Sequence, residues 1–208
     1  MRPINEKLAE QLLEAGKQEF LEKGFLGASM RSIAAAAGVT TGALYRYYTD
    51  KEAMLDALVK EPADTLVAFY REQQRSFAAK SLQRQLDGLP EISDGSAAWM
   101  LDYIYDHFDA FRLIVCCGAG TKYEHYLDTL IDIESESGRR LIDRMLEEGI
   151  PVLDMDDSLI HILSAMLFNG VFETVRHNMP REEAFTHVDR LREFYTAGWF
   201  KILGISEH

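Results

Sequence analysis

What the chain lacks narrows it first. There are two cysteines in 208 residues, and they are neighbours, Cys116 and Cys117. Adjacent cysteines are poorly placed for an ordinary disulfide, and no CxxC pair exists to hold zinc. They are expected to be small apolar residues of a helix. The longest apolar runs, Ile33–Ala37 and Phe111–Cys117 with Arg112 inside it, fall well short of the ~20 residues that cross a bilayer. No membrane span is expected. The opening residues, MRPINEKLAEQ, hold no apolar leader core and meet glutamate early, so the expected location is cytoplasmic. Metal motifs are also missing. His107 and His161 belong to no H-x-x-x-H or H-E-x-x-H pattern, and Asp154–Asp157 lacks the glycine and closing glutamate of a calcium loop, so it reads as a helix start. The GAGTKY stretch from Gly118 lacks the spacing of a phosphate-binding loop and reads as a turn. No metal and no cofactor is expected.

Strand-like alternation is nearly absent too, whereas apolar residues recur at intervals of three and four throughout. The chain is therefore all-α, with about nine helices. Ile4, Leu8, Leu12, Ala15, Phe20 and Leu21 mark a first helix from about Asn5 to Lys23, stopped by Gly24. Ser29 can cap a short helix to about Ala37, Gly38 permits a tight turn, and Thr40 can cap a second short helix through Tyr47 or Tyr48. A fourth helix starts at Thr49 or Asp50, and Pro62 is expected to end or kink it near Lys60. A long helix near 63–86 follows, then a loop over Asp87–Ser96. Further helices are expected near 97–108, 109–117, 121–148, 156–178 and 181–203.

The net charge is −12, and its distribution says more than its sum. Residues 1–53 balance Arg2, Lys7, Lys17, Lys23, Arg31, Arg46 and Lys51 against seven acids, so residues 54–208 carry the whole surplus. The two parts are built for different partners.

Within the neutral part, Ala34, Gly38 and Leu44 are spaced to let two short helices cross closely, one turning at the glycine and the other anchored by the leucine. That spacing resembles a helix-turn-helix, whose second helix enters the major groove. On that second helix Thr41 and Arg46 can reach base edges or phosphates. Gly42 lets backbone approach a duplex, and Thr40 offers a hydroxyl and amide at a helix start. Tyr45, Tyr47 and Lys51 are spaced to hold phosphates on either side.

The stretch IAAAAGVTTGALYRYYTDKEAML resembles the DNA-binding signature of the TetR family of transcriptional regulators, roughly T-x-x-x-I-A-x-x-A-G-V-S-x-G-x-L-Y-x-[HY]-F-x-[SN]-K-E-x-L. Ile33, Ala34, Ala37, Gly38, Val39, Gly42, Leu44, Tyr45, Tyr47, Lys51 and Glu52 match it. Ser29, Thr40, Tyr48, Asp50 and Met54 depart from it while keeping size or polarity. The resemblance covers about residues 5–58. It implies a homodimer on a palindromic operator, with Ser29, Thr40, Thr41, Gly42, Tyr45, Tyr47 and Lys51 touching DNA and Arg46 at a variable position that adds to specificity. It also implies a DNA-binding domain over 1–50 and a helical ligand-binding and dimerisation domain over 51–208, with a helix from about 51 to 60 linking them. The acids of the second part need not oppose DNA binding, since at physiological salt charges more than about 8 Å apart are largely screened.

The resemblance further implies a small-molecule pocket among the middle helices. Trp99, Tyr103, His107, Phe111, Tyr123, Tyr126, Phe168 and Glu173 are the candidate ligand residues, Trp99, Tyr103 and His107 lying on one helix face, with plain core packing as the alternative for any of them. The helix near 156–178 is apolar nearly all round, which suits burial on two sides. The helix near 181–203 carries Phe185, Val188, Leu191, Tyr195, Trp199 and Ile202 on one stripe, with Gly198 permitting close approach. Two such helices from each of two chains would make a four-helix dimer interface, unless the stripes serve a monomer's core. The expected protein is a ligand-responsive repressor without catalytic activity. An activator of the same fold, or an enzyme using His107 with Asp106 or Cys117, are the rivals.

Overall fold

The structure is a computed structural model that describes residues 5–87, 89–153 and 155–204, leaving aside the side chains of 87 and 89–97. Ile4, Gly88 and Asp154, which entered the expectations above, lie outside the described residues. Among the described residues there are ten helices and no strand. In chain order they are α1 (Glu6–Gly27), α2 (Met30–Ala36), α3 (Thr41–Leu44), α4 (Lys51–Ala78), α5 (Leu82–Asp87), α6 (Leu89–Asp106), α7 (Phe108–Cys117), α8 (Tyr126–Glu147), α9 (Asp157–Arg176) and α10 (Arg181–Leu203). They form two compact units, one of residues 1–65 and 107–126, the other of 66–106 and 127–208.

In the first unit α1 starts at Asn5, whose Oδ1 accepts the Leu8 amide at 3.3 Å. Gly24 interrupts its far end with φ +68°, the left-handed geometry that glycine takes without steric cost. The expected stop is thus in place, with the chain coiling on to Gly27. Leu12 and Phe20 are fully buried on one face. A Cβ at Gly16 would lie 2.5 Å from Met54 Sδ, so the missing side chain is what lets α1 and α4 meet. α1 also packs on α2 and α7. Buried Cys117 donates through Sγ to Phe20 O at 3.1 Å, and burial pushes its thiol up to about 11. Cys117 fits the expected inert helical residue, whereas Cys116 is exposed.

Several boundaries differ from the sequence expectation, among them the helix expected near 63–86, which ends with α4 at Ala78 and resumes as α5 at Leu82. α4 runs straight through Pro62. An internal proline removes one backbone bond and costs about 3 kcal/mol. The buried stripe of Leu55, Val59, Ala63 and Leu66 continues across that position, and burying such side chains at ~1.5–3 kcal/mol each outweighs the loss. The expected loop at 87–96 belongs from Leu89 onward to α6. Conversely the helix expected from 121 starts only at Tyr126, because Thr121–Glu124 are held in turns by Thr121 N to Gly118 O (3.0 Å) and Glu124 N to Thr121 O (3.1 Å).

In the second unit α10 packs on α9 and α6. A cluster of Ile142, Met155, Ile160 and Leu203 is buried, with Trp199 against it. The close approach between α9 and α10 is made at Gly170, where a Cβ would come within 2.5 Å of Leu191 Cδ2. Gly198 meets nothing within 4 Å in this chain. Asp156 Oδ1 caps α9 by accepting the Leu159 amide at 2.8 Å, as expected of the DMDD stretch. α9 is the one described helix long and apolar enough by composition to cross a bilayer. The core helix of a globular unit passes the same test, and Phe168, Val171 and Phe172 of α9 are buried in this one.

Candidate functional site

Local bonds set α2 and α3 in place. The buried carboxylate of Glu19 accepts the Ser29 amide at 3.2 Å and the Lys23 ammonium at 2.9 Å, and Lys23 holds that carboxyl below its usual range. Ser29 Oγ in turn accepts the Ser32 amide at 3.1 Å, capping α2. At its other end the Val39 amide reaches back to Ala34 O at 2.9 Å around Gly38, whose φ is +70°. Thr40 Oγ1 accepts the Ala43 amide at 3.2 Å, starting α3. Ile33 and Leu44, both fully buried, pack the two helices into the unit.

α3 is shorter than expected. It ends at Leu44, and the Tyr47 and Tyr48 amides both fold back onto Leu44 O, at 2.9 and 3.1 Å, so Tyr45–Tyr48 form a turn. Lys51 follows at the start of α4, and its Nζ donates to Phe25 O (2.8 Å), Ala28 O (2.9 Å) and Leu26 O (3.4 Å) while lying 4.8 Å from the Phe25 ring centroid. This ammonium satisfies carbonyls left open where α1 breaks at Gly24.

The eight expected DNA residues therefore divide. Ser29, Thr40 and Lys51 are bonded to this chain's own backbone, and the Tyr47 hydroxyl accepts the Asn5 amide at 3.3 Å. Thr41, Gly42, Tyr45 and Arg46 are left to face outward: Gly42, Tyr45 and Arg46 are exposed, Thr41 half so. Gly42 is instructive, because a Cβ there would meet nothing within 4 Å and its φ is not positive. The fold leaves this position open and does not need a glycine there. Arg46 forms no ion pair among the described residues, and neither does Arg31 on the first turn of α2. The motif reading passed over Arg31; its signal was a cation in the neutral part with no acid one helical turn away. Hydroxyl, bare backbone, phenol and guanidinium within six residues can contact both phosphates and base edges.

The second unit holds a cavity of about 200 Å³. Its walls are mostly apolar, with Phe77, Leu101, Leu141, Phe168, Val171 and Phe200 among them. Polar groups gather on α4 and α8. Tyr70 OH donates to Glu134 Oε2, Gln74 Nε2 donates to the same oxygen at 2.9 Å, and Ser137 Oγ donates to Gln74 Oε1 at 2.6 Å. Burial pushes the Glu134 carboxyl above its usual range and the Tyr70 phenol well above its own.

Of the eight candidate ligand residues, Phe168 alone lines this cavity. Trp99 and Tyr103 do share a face of α6, their rings stacked 5.0 Å apart, but Phe69 covers Trp99 at 3.6 Å. Met100 and Leu101, on adjoining positions of α6, line the cavity instead. His107 follows α6 and stands at the N-cap of α7, in the first unit. In that unit Phe111 is fully buried, Tyr123 OH donates to Asp56 Oδ1 at 2.9 Å, and Tyr126 OH donates to Ala63 O at 3.1 Å. Glu173 is exposed and bonded to Arg176 at 2.7 Å, which lowers its pKa. The spacing rule found a helix face but could not say which face would be hollow. Tyr70, Gln74 and Glu134 were missed because they come from helices far apart in sequence.

Two short helices crossing at a glycine turn, the second with an outward polar face, define the helix-turn-helix class. Residues 12–58 match the family model described as bacterial regulatory proteins, tetR family. That segment carries the DNA-binding signature of the TetR family. It is 38% identical over 86 residues to the HTH-type transcriptional repressor KstR2 of Mycobacterium tuberculosis, a match covering 41% of this chain and 42% of that protein. The chain thus spans under half the length of that curated relative. Its fold is similar to that of the fatty acid degradation regulator FadR from Bacillus halodurans (TM-score 0.54, 20% identity, 91% of this chain and 98% of that one). It is similar also to the TetR family transcriptional regulator PfmR from Thermus thermophilus (TM-score 0.52, 20% identity, 95% and 99%).

Proposed function

We propose that the protein is a cytoplasmic, ligand-responsive transcriptional repressor that grips a palindromic operator as a homodimer and leaves it when a small molecule fills the cavity of the second unit. The observation that carries the reading is the outward face of α3, above all a Gly42 that the fold leaves open. Thr41 and Arg46 read base edges, Tyr45 and Tyr47 hold phosphates, and Arg31 adds a phosphate contact from α2. Ser29, Thr40 and Lys51 contribute mainly by placing the helices, with the Thr40 hydroxyl also near the duplex. The functional division stays at 1–50 for DNA and 51–208 for effector and dimer.

One short helix reads too few bases for useful affinity, and two-fold symmetry doubles the contacts. The partner surface is the outer side of α9 and α10. Ile162 and Met166 on α9 are 54% and 53% exposed, and Phe194 on α10 is 69% exposed. Phe194 lies off the stripe read from the sequence. Apolar side chains this open, on helices whose other sides are packed, suit a second copy. α4 passes unbroken from the reading unit into the cavity unit, and Tyr70 and Gln74 of the polar cluster sit on it, so a ligand that engages them acts on the helix begun at Lys51. Coupling of about 1–3 kcal/mol, or 5-fold to 150-fold in operator affinity, is the usual scale.

The test is selection of duplexes from a randomised pool, with sedimentation of the bound complex. An enriched inverted repeat carrying two protein copies is the expected result. A strictly monomeric protein, or no enrichment, would overturn the reading.

A further inference from the structure

The cavity's polar groups are unequally matched. Glu134 accepts two hydrogen bonds, from Tyr70 and Gln74, and both donors are neutral. Among the described residues no Lys or Arg pairs with it. Glu134 is half-buried, and a carboxylate drawn out of water without a countercharge is costly, so such groups normally neutralise or find a cation. Nearby Tyr195 lines the same cavity, and its hydroxyl oxygen is buried without a hydrogen-bond partner. The negative charge of Glu134 helps to raise the Tyr195 phenol above its usual range, after burial. The cavity therefore holds one carboxylate lacking a cation, with the buried Tyr195 phenol oxygen close by. Aromatic rings of Tyr70, Phe168 and Trp199 stand around them, surfaces to which a cation is drawn.

Arg192 also lines the cavity, but its Nη2 already donates to Asp189 Oδ1 at 2.8 Å. The unmet charge is negative. As for size, about 200 Å³ compares with the ~150 Å³ of an engineered cavity that accepts benzene. Resting on the reading of this cavity as the effector site, we propose that the effector is an organic cation: an amine on a compact apolar body little larger than one aromatic ring, its ammonium donating to Glu134 and to the Tyr195 oxygen.

The experiment compares three probes that share a phenyl body, phenethylamine, phenethyl alcohol and phenylacetate, by calorimetry and thermal shift on the full-length protein and on Glu134→Gln. Phenethylamine is expected to bind at least about tenfold more tightly than the alcohol, the usual scale of a charge-assisted bond. Glu134→Gln should bring the amine to the alcohol's level and leave the alcohol within about twofold. Equal affinities in the unaltered protein overturn the proposal, and that ranking decides alone if Glu134→Gln does not fold. An amine preference that survives Glu134→Gln overturns it as well. Preference for phenylacetate, lost in Arg192→Ala, overturns the cation while leaving the cavity as an effector site. No binding of any probe overturns both.

Discussion

The α3 stretch and the cavity use their polar groups in opposite ways. Around α3, side chains bond backbone: Ser29 to Ser32 and Thr40 to Ala43, each three residues on, and Lys51 to the end of α1, 23 residues back at Ala28. Thr41, Gly42, Tyr45 and Arg46 between them face outward. In the cavity, Tyr70, Gln74, Glu134 and Ser137 bond one another across more than sixty positions of sequence. On the proposed reading, the face offered to DNA leaves its contact groups free, whereas the cavity ties its polar groups to one another and leaves one charge unmet.

Several substitutions would break or sharpen that contrast. The largest effect is expected from Leu44→Ala, since Leu44 is fully buried and such a truncation costs about 2–5 kcal/mol. Chemical denaturation measures it, and a loss below the lower bound would mean α3 is not anchored there. Next, Lys51→Ala should cost about 1–3 kcal/mol by orphaning the carbonyls of Phe25 and Ala28, while Arg46→Ala leaves stability unchanged. On DNA the order reverses: Arg46→Ala should cost about 1–3 kcal/mol on the preferred operator and relax its sequence preference, and Thr41→Ala should change the preferred bases. If Lys51→Ala melts like the parent yet weakens every duplex alike, Lys51 is a phosphate clamp after all. Gly42→Ala should keep or raise stability by up to about 1 kcal/mol through helix propensity and still weaken operator binding, read by melting and gel shift on one sample. The smallest effect concerns pH. Glu134 binds its proton more tightly folded than unfolded, so the folded state is favoured below the ordinary carboxylate pKa. That advantage fades as pH rises through the raised native value. Melting temperature against pH should fall less steeply across this window in Glu134→Gln than in the parent.

How much of this was legible in advance follows the same line. The caps at Ser29 and Thr40, the turn at Gly38 and the anchor at Leu44 could be read because each is settled within four residues of itself. The end of α3 could not, since a fold-back onto Leu44 O looks in sequence like one more helical turn. Pro62 misled for a different reason: local propensity favoured a break, and the buried stripe on either side overrode it. At the cavity, the four-residue rhythm of Trp99 and Tyr103 marked one face of α6 correctly. Which residues border empty space depends on how α4, α8, α9 and α10 assemble, and no single-helix pattern contains that.

Lys51 has an implication for change over time. Because its ammonium braces the joint between α1 and α2 from the far side of the recognition stretch, Gly42, Tyr45 and Arg46 bear little of the scaffold's weight. Such a stretch can be rewritten toward a new operator by a few exchanges, with the frame beneath it undisturbed.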